Sequence, residues 1–522
     1  MSDSSLPQRR HPAGDLPGVE QEVVRVPLSV DTYAGPVHVE WDPDAAVTPL
    51  GHLAFFAHYL KVSGRFDALM ADCPLTYTSP NAPPPRDVVG TAMLAILAGQ
   101  WRYAHMTGLR GDTVNPPLLG MTRVVSEDAV RRGLARIPGP DGAAWLCGHL
   151  DDTVRPILTE PWILDADTTV KPLYGHQEGA AVGYNPHKPG RPSHAYHTFA
   201  VAGLRLVLDV AVDAGNRHHA KHARPPMWEL LGRLPRSHWP ALVRGDRDWG
   251  SEPTMAGCEQ EGVPYLFKLR MTRGVRKVVE KATDGPWEDA GQGWSGRESR
   301  LRLSGWSRSR RVILLRRRLP DDALGLMRKT TDGQGELFWA EPGSGAAVWE
   351  FAVLVTSLDL EMRSLAQLYR DRADSENLFD ELKNQWGWAG FTTRDLDRSQ
   401  HMARLIALVY NWWTLFVRLA DPDHHREAIT SRPLLLHGVA RQTRHAGQTR
   451  LTVTSSHGRR DKVVQALRAI AAFFAELRRT AEQLTAAERW SRILAHALRK
   501  YLHGRQLRSP PWLNAPAPTP TG

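Results

Sequence analysis

Residues 161–270 alternate between short apolar runs and segments of helical periodicity, and this alternation restricts the fold more than any other feature of the chain. The apolar runs are rich in β-branched residues or alternate apolar with polar ones, as strands do. They occupy residues 162–170, 197–212, 241–246 and 263–270. Helical patterns at residues 227–234 and 252–261 lie between them. We therefore predict an α/β core in which helices cover a mixed sheet.

The composition excludes several classes of protein. With 42% hydrophobic residues among 522, the chain can bury large cores and is not mainly disordered. Its three cysteines, Cys73, Cys147 and Cys258, lie far apart, so we expect no cysteine-based zinc site and a reducing compartment, the cytoplasm. The most apolar helical stretch, residues 402–419, is interrupted by polar side chains, so we expect no membrane span. The 66 Lys and Arg against 56 Asp and Glu suggest a polyanionic partner.

The first group of acids lies inside an apolar run. Because side chains alternate along a strand, Asp165 and Asp167 emerge on the same face, opposite Leu164 and Ala166. Two carboxylates on one face of a central strand repel each other and are costly to bury, so they favour a bound cation. An exposed strand end with two solvated acids is the alternative.

A second acid follows the apolar run 241–243, in the order Arg244-Gly245-Asp246. A strand that ends in Gly-Asp brings its carboxylate to the carboxyl edge of the sheet, where open α/β sheets bind their ligands. A turn aspartate that caps the next helix explains this motif equally well. Asp248, two residues further on, is the reserve candidate for the same role.

Four polar side chains share one face of a predicted helix. They are Tyr369, Arg372, Glu376 and Lys383, and we refer to them as the four-residue group. At about 100° per residue they fall within an arc of about 60°. A phenol, a guanidinium, a carboxylate and an ammonium on one face suit the binding of metal and phosphate. A plain i, i+4 ion pair between Arg372 and Glu376 is the alternative, and it gives Tyr369 and Lys383 no role.

The spacing Tyr369-x2-Arg372-x3-Glu376-x6-Lys383 matches in full the Tyr-Arg-Glu-Lys signature of the DDE transposases encoded by one large group of bacterial insertion sequences. Other stretches resemble the same group. They are YRDRADSENLFDELKNQWGW around the signature, YNWW at 410–413, GHQEGAAVGYNPHKPGRPSHAYHTF at 175–199 and RGD at 244–246. The resemblance covers roughly residues 160–420.

This resemblance implies a ribonuclease-H-like fold whose catalytic acids and metal ligands are Asp167, Asp246 and Glu376. The long separation of Asp246 from Glu376 fits members of the group that carry a β-rich insertion. Three carboxylates can hold two Mg²⁺ or Mn²⁺ ions about 3.5–4 Å apart, because hard oxygen ligands suit these cations and not zinc. Such a pocket can cut DNA at the element end and join the freed 3′ end to target DNA, which is cut-and-paste transposition. The residues that bind DNA phosphates would be Tyr369, Arg372 and Lys383.

A further set of residues suits DNA contact. Between residues 297 and 318 there are nine arginines against one acid, Glu298. Arginine together with tryptophan suits phosphate contact and stacking on an unpaired base. The residues that we assign to this contact are Arg300, Arg302, Arg310, Arg311, Arg316, Arg317, Arg318, Trp294 and Trp306. A solvated cationic β-surface is the alternative.

These patterns and the resemblance divide the chain into five predicted regions. They are an N-terminal arm (1–45), a helical DNA-binding domain (46–160), a ribonuclease-H-like catalytic domain (161–425) with a β-rich insertion at about 271–350, a C-terminal helical region (426–505) and a disordered tail (506–522). We expect double-stranded DNA as the partner, both the terminal inverted repeats of the element and its target, bound by a homodimer. Two alternatives remain: a ribonuclease-H-like nuclease without strand transfer, and a catalytically inactive DNA-binding protein derived from a transposase.

Overall fold

The computed structural model describes residues 27–185, 188–282, 285–319, 337–340, 348–481 and 484–503. Most of the predicted N-terminal arm (1–45) and all of the predicted disordered tail (506–522) therefore lie outside the described residues. The strands are β1 (Leu28–Thr32), β2 (Gly35–Val39), β3 (Val47–Thr48), β4 (Ile163–Pro172), β5 (Ala181–Val182), β6 (Pro192–Val201), β7 (Leu206–Ala214), β8 (Leu242–Gly245), β9 (Tyr265–Lys268), β10 (Glu288–Gly291), β11 (Trp294–Leu301), β12 (Arg310–Arg318), β13 (Leu337–Ala340), β14 (Val348–Thr356), β15 (Val439–His445) and β16 (Gln448–Thr454). The helices are α1 (Leu53–Ser63), α2 (Arg65–Ala71), α3 (Pro85–Leu97), α4 (Asn115–Leu118), α5 (Glu127–Ala135), α6 (Gly139–Val154), α7 (Ala220–Arg233), α8 (Glu252–Gln260), α9 (Arg273–Ala282), α10 (Met362–Arg370), α11 (Ala373–Asn384), α12 (Leu396–Ala420), α13 (Ala428–Leu435), α14 (Arg460–Ala481) and α15 (Ala486–Ala497).

An 11-stranded sheet forms the centre of the molecule. In its middle, β7, β6 and β4 make an antiparallel meander, and β8 and β9 then add parallel to β4. The strand that carries Asp167 is therefore the direct neighbour of the strand that precedes Asp246, with Asp165 paired opposite Arg244. Helices cover this sheet, so the predicted mixed α/β architecture is confirmed.

The predicted β-rich insertion extends this sheet and does not form a separate layer. β14 pairs antiparallel with β9, β12, β11 and β10 follow it outward, and β13 also pairs with β14. The middle of β12 is buried on both faces: Ile313 packs in one apolar cluster with Leu365 of α10, and Val312 belongs to the main core on the other side. The insertion is thus part of the same packed body as the central strands.

The 25-residue helix α12 joins the sheet to the helices at both ends of the chain. It packs against β7 and α6, and also against α1, α3, α5, α14 and α15. Asn411, inside this apolar helix, accepts a hydrogen bond from the Val207 N–H at 2.9 Å and donates one to the Val207 carbonyl at 2.7 Å. None of the helices in the described residues combines the length and apolar character needed to cross a membrane.

Residues 426–505 are predicted to be a helical region. In the structure this part of the chain is not purely helical. It contains the hairpin formed by β15 and β16, and β15 also pairs with β3 from the N-terminal part. In β16 the half-buried Leu451 and Val453 alternate with exposed polar residues, a pattern with period two that distinguishes this strand from the flanking helices.

A buried ion-pair network ties α6, α7 and α12 to β7. Asp209 on β7 accepts hydrogen bonds from Arg404 Nε at 2.8 Å and from Arg233 Nη2 at 3.4 Å. Arg233 Nε also donates to Asp151 on α6 at 2.9 Å. Burial opposes ionisation of Asp209, but the two guanidinium groups outweigh it and lower the pKa of this carboxyl. The network therefore holds these helices on the sheet through charge as well as packing.

We expect Asp209→Ala to lower the free energy of unfolding by about 3–5 kcal/mol, because it leaves the buried Arg404 without an ionic partner. Asp128→Ala is the matched control, since the exposed Asp128 carboxylate lies 3.9 Å from Arg131 and contributes less than about 1 kcal/mol. Urea unfolding followed by tryptophan fluorescence measures both variants. Equal losses would show that the network adds no more than a surface ion pair.

Candidate functional site

The two aspartates of β4 have different partners. Asp165 is buried and accepts two hydrogen bonds of 2.6 Å from the guanidinium of Arg244 on β8. Ser375 of α11 donates a third, at 2.7 Å. These contacts use most of the acceptor positions of a carboxylate, which number about four. Asp165 is therefore engaged within the fold and has little capacity left for a ligand.

Asp167 lies two residues further along the same face and is less completely engaged. Its carboxylate accepts the Thr168 N–H at 2.7 Å and forms an ion pair with Arg372. Burial raises the pKa of Asp167, the charge of Arg372 opposes that effect, and the nearby carboxylates of Glu376 and Asp165 raise the pKa further.

Asp246 directly follows β8, at the carboxyl edge of the sheet. Its carboxylate accepts the Asp248 N–H at 3.0 Å. Burial, and next the charge of Asp167, raise the pKa of Asp246 to about 6. The acids of the two strands therefore share one electrostatic environment, in which a positive charge is favoured.

The helix that the sequence analysis predicts for the four-residue group is in fact two helices. α10 ends at Arg370 and α11 begins at Ala373, while Asp371 and Arg372 between them keep helical backbone angles. The prediction of one continuous helix is therefore wrong. The interruption coincides with the residue that reaches across to the sheet, since Arg372 pairs there with Asp167.

Arg372 connects the acids of the strand and the helix. Its side chain is buried, forms the ion pair with Asp167 through Nη2, and places Nη1 3.8 Å from Glu376 Oε1. Burial lowers the pKa of an arginine, but the negative charges led by Asp167 outweigh it and raise the pKa of Arg372. Its Nε atom is buried and has no hydrogen-bond partner among the described residues. Arg372 thus supplies positive charge where the acids require it.

The other three members of the group differ in exposure. The Glu376 side chain is 71% exposed and lies on the solvent side of Arg372. Burial raises the pKa of Tyr369 to about 12, so its hydroxyl remains a donor at neutral pH. Lys383 is half-buried, and burial lowers its pKa while the charge of Asp167 opposes that shift. All four side chains therefore lie within the electrostatic reach of Asp167.

Three residues without a predicted role also shape this region: Arg244, His219 and Arg270. Asp248 accepts a hydrogen bond from Arg270 Nε at 3.0 Å and lies 3.3 Å from His219 Nδ1. Asp248 is thus already paired, which leaves Asp246 as the less engaged acid of the two. The only signal for Arg244 is its position beside Gly245-Asp246, because its partner lies 79 residues away in sequence.

Two of the predicted DNA-contact residues in the insertion are buried, Arg310 and Trp306. Arg310 Nε donates to Glu259 at 2.8 Å, the guanidinium also pairs with Glu252, and it stacks 5.3 Å from the centre of the Trp306 ring. Because these contacts connect β12 to α8, the two side chains stabilise the core. We therefore do not propose Arg310 and Trp306 as DNA contacts.

Most of the remaining insertion residues have partners within the chain. Arg311 pairs with Glu298, Arg317 pairs with Glu350 and stacks on Trp294, and Arg316 lies between the rings of Trp287 and Trp349. Arg300, Arg302 and Arg318 are exposed and form no ion pair with an acid in the described residues. The predicted set therefore separates into paired and available side chains.

The acids at this edge suit a hard divalent cation by their chemistry. Asp167, Asp246 and Glu376 offer only carboxylate oxygens, the ligands that Mg²⁺ and Mn²⁺ prefer. The raised pKa values of the first two show that added positive charge would be favourable. Nowhere in the described part of the chain do three acid, histidine or cysteine side chains already form a group that could hold an ion. Arg372 stands between Asp167 and Glu376 in this arrangement.

A mixed sheet with paired acids at one edge defines an α/β protein built around a carboxylate site. A family model described as "Transposase DDE domain group 1" matches residues 150–474, more than half of the chain. The chain belongs to this family of DDE transposases. Among solved structures, the cryo-EM structure of the piggyBac transposase synaptic complex with hairpin DNA aligns over 86% of each chain, with 11% identity and a TM-score of 0.35. No curated protein matches the chain.

We expect Asp246 to make the protein less stable as the pH rises. Its pKa of about 6 in the folded protein exceeds the ordinary value of 3.8, so between these values the folded chain keeps a proton that the unfolded chain has lost. Relative to Asp246→Asn, the parent should therefore lose about 2–3 kcal/mol of unfolding free energy between about pH 4 and pH 7. Urea unfolding without divalent cations measures this difference. A difference that stays constant with pH would contradict the raised pKa.

Proposed function

We propose that this transposase binds the ends of its mobile element, cleaves DNA phosphodiester bonds with two divalent metal ions and transfers the 3′ ends to target DNA. The observation that carries the proposal is the meeting of Asp167, Asp246 and Arg372, from three separate elements, at one edge of the sheet. Acids with pKa values raised by burial and by each other are typical of functional sites. Glu376, beside Arg372, supplies the third carboxylate.

The order of the strands supports a ribonuclease-H-like core for the catalytic domain. An antiparallel meander, β7-β6-β4, is followed by two parallel strands, β8 and β9. In this arrangement β4 carries Asp167, and its parallel neighbour β8 leads directly into Asp246. This agrees with the fold that the Tyr-Arg-Glu-Lys resemblance implies. From the same resemblance we propose that the mobile element is a bacterial insertion sequence.

The acids and the four-residue group would have distinct roles. Divalent cations, Mg²⁺ or Mn²⁺, held by the three proposed catalytic acids supply the Lewis acidity that phosphodiester cleavage and transfer require. Lys383 would bind a phosphate beside the scissile bond as a compact charge, and Tyr369 would donate its hydroxyl. The guanidinium of Arg372, 3.8 Å from Glu376, would bind a phosphate oxygen as well.

Residues distant from the catalytic acids must also bind the DNA. We assign binding of the element ends to the helical region 46–160, and contact with the DNA backbone to four arginines of the insertion. Three are exposed without an ion pair in the described residues, Arg300, Arg302 and Arg318, and the fourth, Arg317, is exposed although it pairs with Glu350. A homodimer in the DNA complex would hold the two ends of one element together, and the net charge of +10 favours such a polyanionic partner.

Replacing Asp167, Asp246 or Glu376 by Ala should abolish cleavage and strand transfer and change the affinity for element ends by less than about twofold, because metal ligation and DNA grip use different residues. Gel assays with a labelled duplex that carries the terminal repeat measure cleavage, joining and binding. Asp371→Ala is the matched control, since the exposed Asp371 carboxylate accepts a hydrogen bond from Gln367 at 2.7 Å and should keep parental activity.

The same assay separates the alternatives. A nuclease without strand transfer would release cut ends and give no joined product, and an inactive DNA-binding protein would shift the duplex and give neither. Full activity in Asp246→Ala would contradict the assignment of that acid and would point to Asp248.

Activity should require Mg²⁺ or Mn²⁺. Chelation with EDTA should abolish cleavage, and Mg²⁺ or Mn²⁺ should restore it, whereas Zn²⁺ should not, because the proposed ligands are all carboxylates. Cleavage of the labelled duplex after dialysis against each cation measures this dependence. Undiminished cleavage in the presence of chelator would refute the mechanism.

Lys383 gives the sharpest test of the four-residue group. Lys383→Ala should lower the cleavage rate by about 100-fold or more if the ammonium binds the phosphate, and should shift the melting temperature by only a few degrees, because Ala favours the helix. Lys383→Arg should restore activity only partly, since a planar guanidinium does not reproduce a compact ammonium. Lys277→Ala, at an exposed position of α9, is the control. A parental cleavage rate in Lys383→Ala would mean that this residue has no part in the reaction.

A further inference from the structure

A cavity of about 590 Å³ lies at the edge of the sheet where β4 begins, whereas Asp246 follows the end of the parallel strand β8. Its wall is formed by the residues before β4, the turn between β6 and β7, the end of α12 and the residues that follow α15. The volume falls in the range of small-molecule sites, about 300–1,000 Å³. The cavity is therefore a concave site at the opposite edge of the sheet from the proposed catalytic acids.

Arg418 of α12 lines this cavity with a buried charge. Its guanidinium donates one hydrogen bond, to the Leu204 carbonyl at 3.0 Å, and forms no ion pair with an acid in the described residues. Burial lowers the pKa of Arg418. A buried guanidinium is costly without an anionic partner, so the structure leaves a place for one.

The acids nearest to Arg418 are already engaged elsewhere. Asp374 accepts a hydrogen bond from Arg205 Nε at 2.7 Å, and Glu381 lies 2.8 Å from His425 Nε2. The other ring nitrogen of His425, Nδ1, is buried without a hydrogen-bond partner. Within the described residues, the cavity wall thus has a guanidinium without an ion pair and an imidazole nitrogen without a hydrogen-bond partner.

Further donors surround the opening. Lys500, His424 and His503 are exposed and line the cavity with Arg418 and His425. Two acids, Glu160 and Asp423, also line it, but the Asp423 carboxylate lies 4.0 Å from Arg499, which is outside the cavity. A guanidinium, an ammonium and imidazoles around one space suit an anion with several oxygen atoms.

We propose that this cavity binds a small phosphorylated molecule, with its phosphate paired to Arg418 and Lys500. A phosphate presents several acceptor oxygens and carries the charge that Arg418 needs. The volume is that of a small-molecule site, whereas duplex DNA would lie across a surface. The proposal concerns a binding site separate from the proposed catalytic acids, so it holds or fails independently of DNA cleavage.

Isothermal titration calorimetry with sodium pyrophosphate tests the proposal, without divalent cations and at constant ionic strength. The parent protein should bind at one saturable site. Arg418→Met and Lys500→Met should each raise the Kd at least about tenfold. Lys277→Met, at an exposed position of α9 outside the cavity, should change it by less than about twofold. Because Lys500 is exposed, Lys500→Met tests the site even if Arg418→Met fails to fold.

Two comparisons distinguish other sources of the signal. Lys383→Ala should bind pyrophosphate like the parent, and loss of binding in that variant would place the anion at the catalytic site and overturn the proposal.

In the second comparison, a short duplex is titrated into the parent and into the cavity variants. If Arg418→Met and Lys500→Met weaken duplex binding while the parent does not bind pyrophosphate, the ligand is the DNA backbone and the proposal is wrong. It is also wrong if no saturable binding occurs, or if Lys277→Met weakens binding as much as Lys500→Met.

Discussion

The buried ion pair between Asp165 and Arg244 fixes the geometry on which the candidate site depends. It joins β4 to β8 in register, and Arg244 also donates to the Leu368 carbonyl of α10 while Ser375 of α11 donates to Asp165. Burying two charges is costly, and only good geometry with further hydrogen bonds offsets that cost. Both side chains meet this condition. The four elements joined in this way carry or precede every proposed catalytic acid and most of the four-residue group.

The same interaction explains why two aspartates on one face of a strand differ in character. Asp165 has its countercharge from within the fold, so its position contributes to specificity of assembly. Asp167 faces Arg372, and Asp246 stands close enough for the charge of Asp167 to raise its pKa. A cation can compete for acids that share the single guanidinium of Arg372, but not for an acid held by a bidentate pair. Burial and partners, rather than residue type, thus separate the structural acid from the candidate catalytic ones.

Local patterns predict the mixed sheet and the grouping of Tyr369, Arg372, Glu376 and Lys383, because alternation and helical spacing are properties of short segments. They do not predict the Asp165–Arg244 pair or the interruption at residues 371–372, which depend on groups distant in sequence. The arginines of the insertion show the same limit. The pattern RRVILLRRR identifies a strand, and its unbroken apolar centre already indicates burial on both faces. It does not reveal that Arg310 and Arg311 have acidic partners on α8 and β11.

The ion pairs of Arg310 and Arg311 give the insertion a structural role in addition to any contact with DNA. α10 follows β14 in the chain and carries Tyr369, the first member of the four-residue group. It packs on β10, β11 and β12, with Leu365 against Ile313. Arg311 Nη1 donates to the Leu358 carbonyl at 2.8 Å just before α10, and Arg370 Nη2 donates to the Ala290 carbonyl on β10 at 2.9 Å. The insertion therefore helps to set where α10 ends. Arg372 follows the end of α10 by two residues and pairs with Asp167 on β4. The long segment between Asp246 and Glu376 therefore supports the helix that places Arg372 beside this acid.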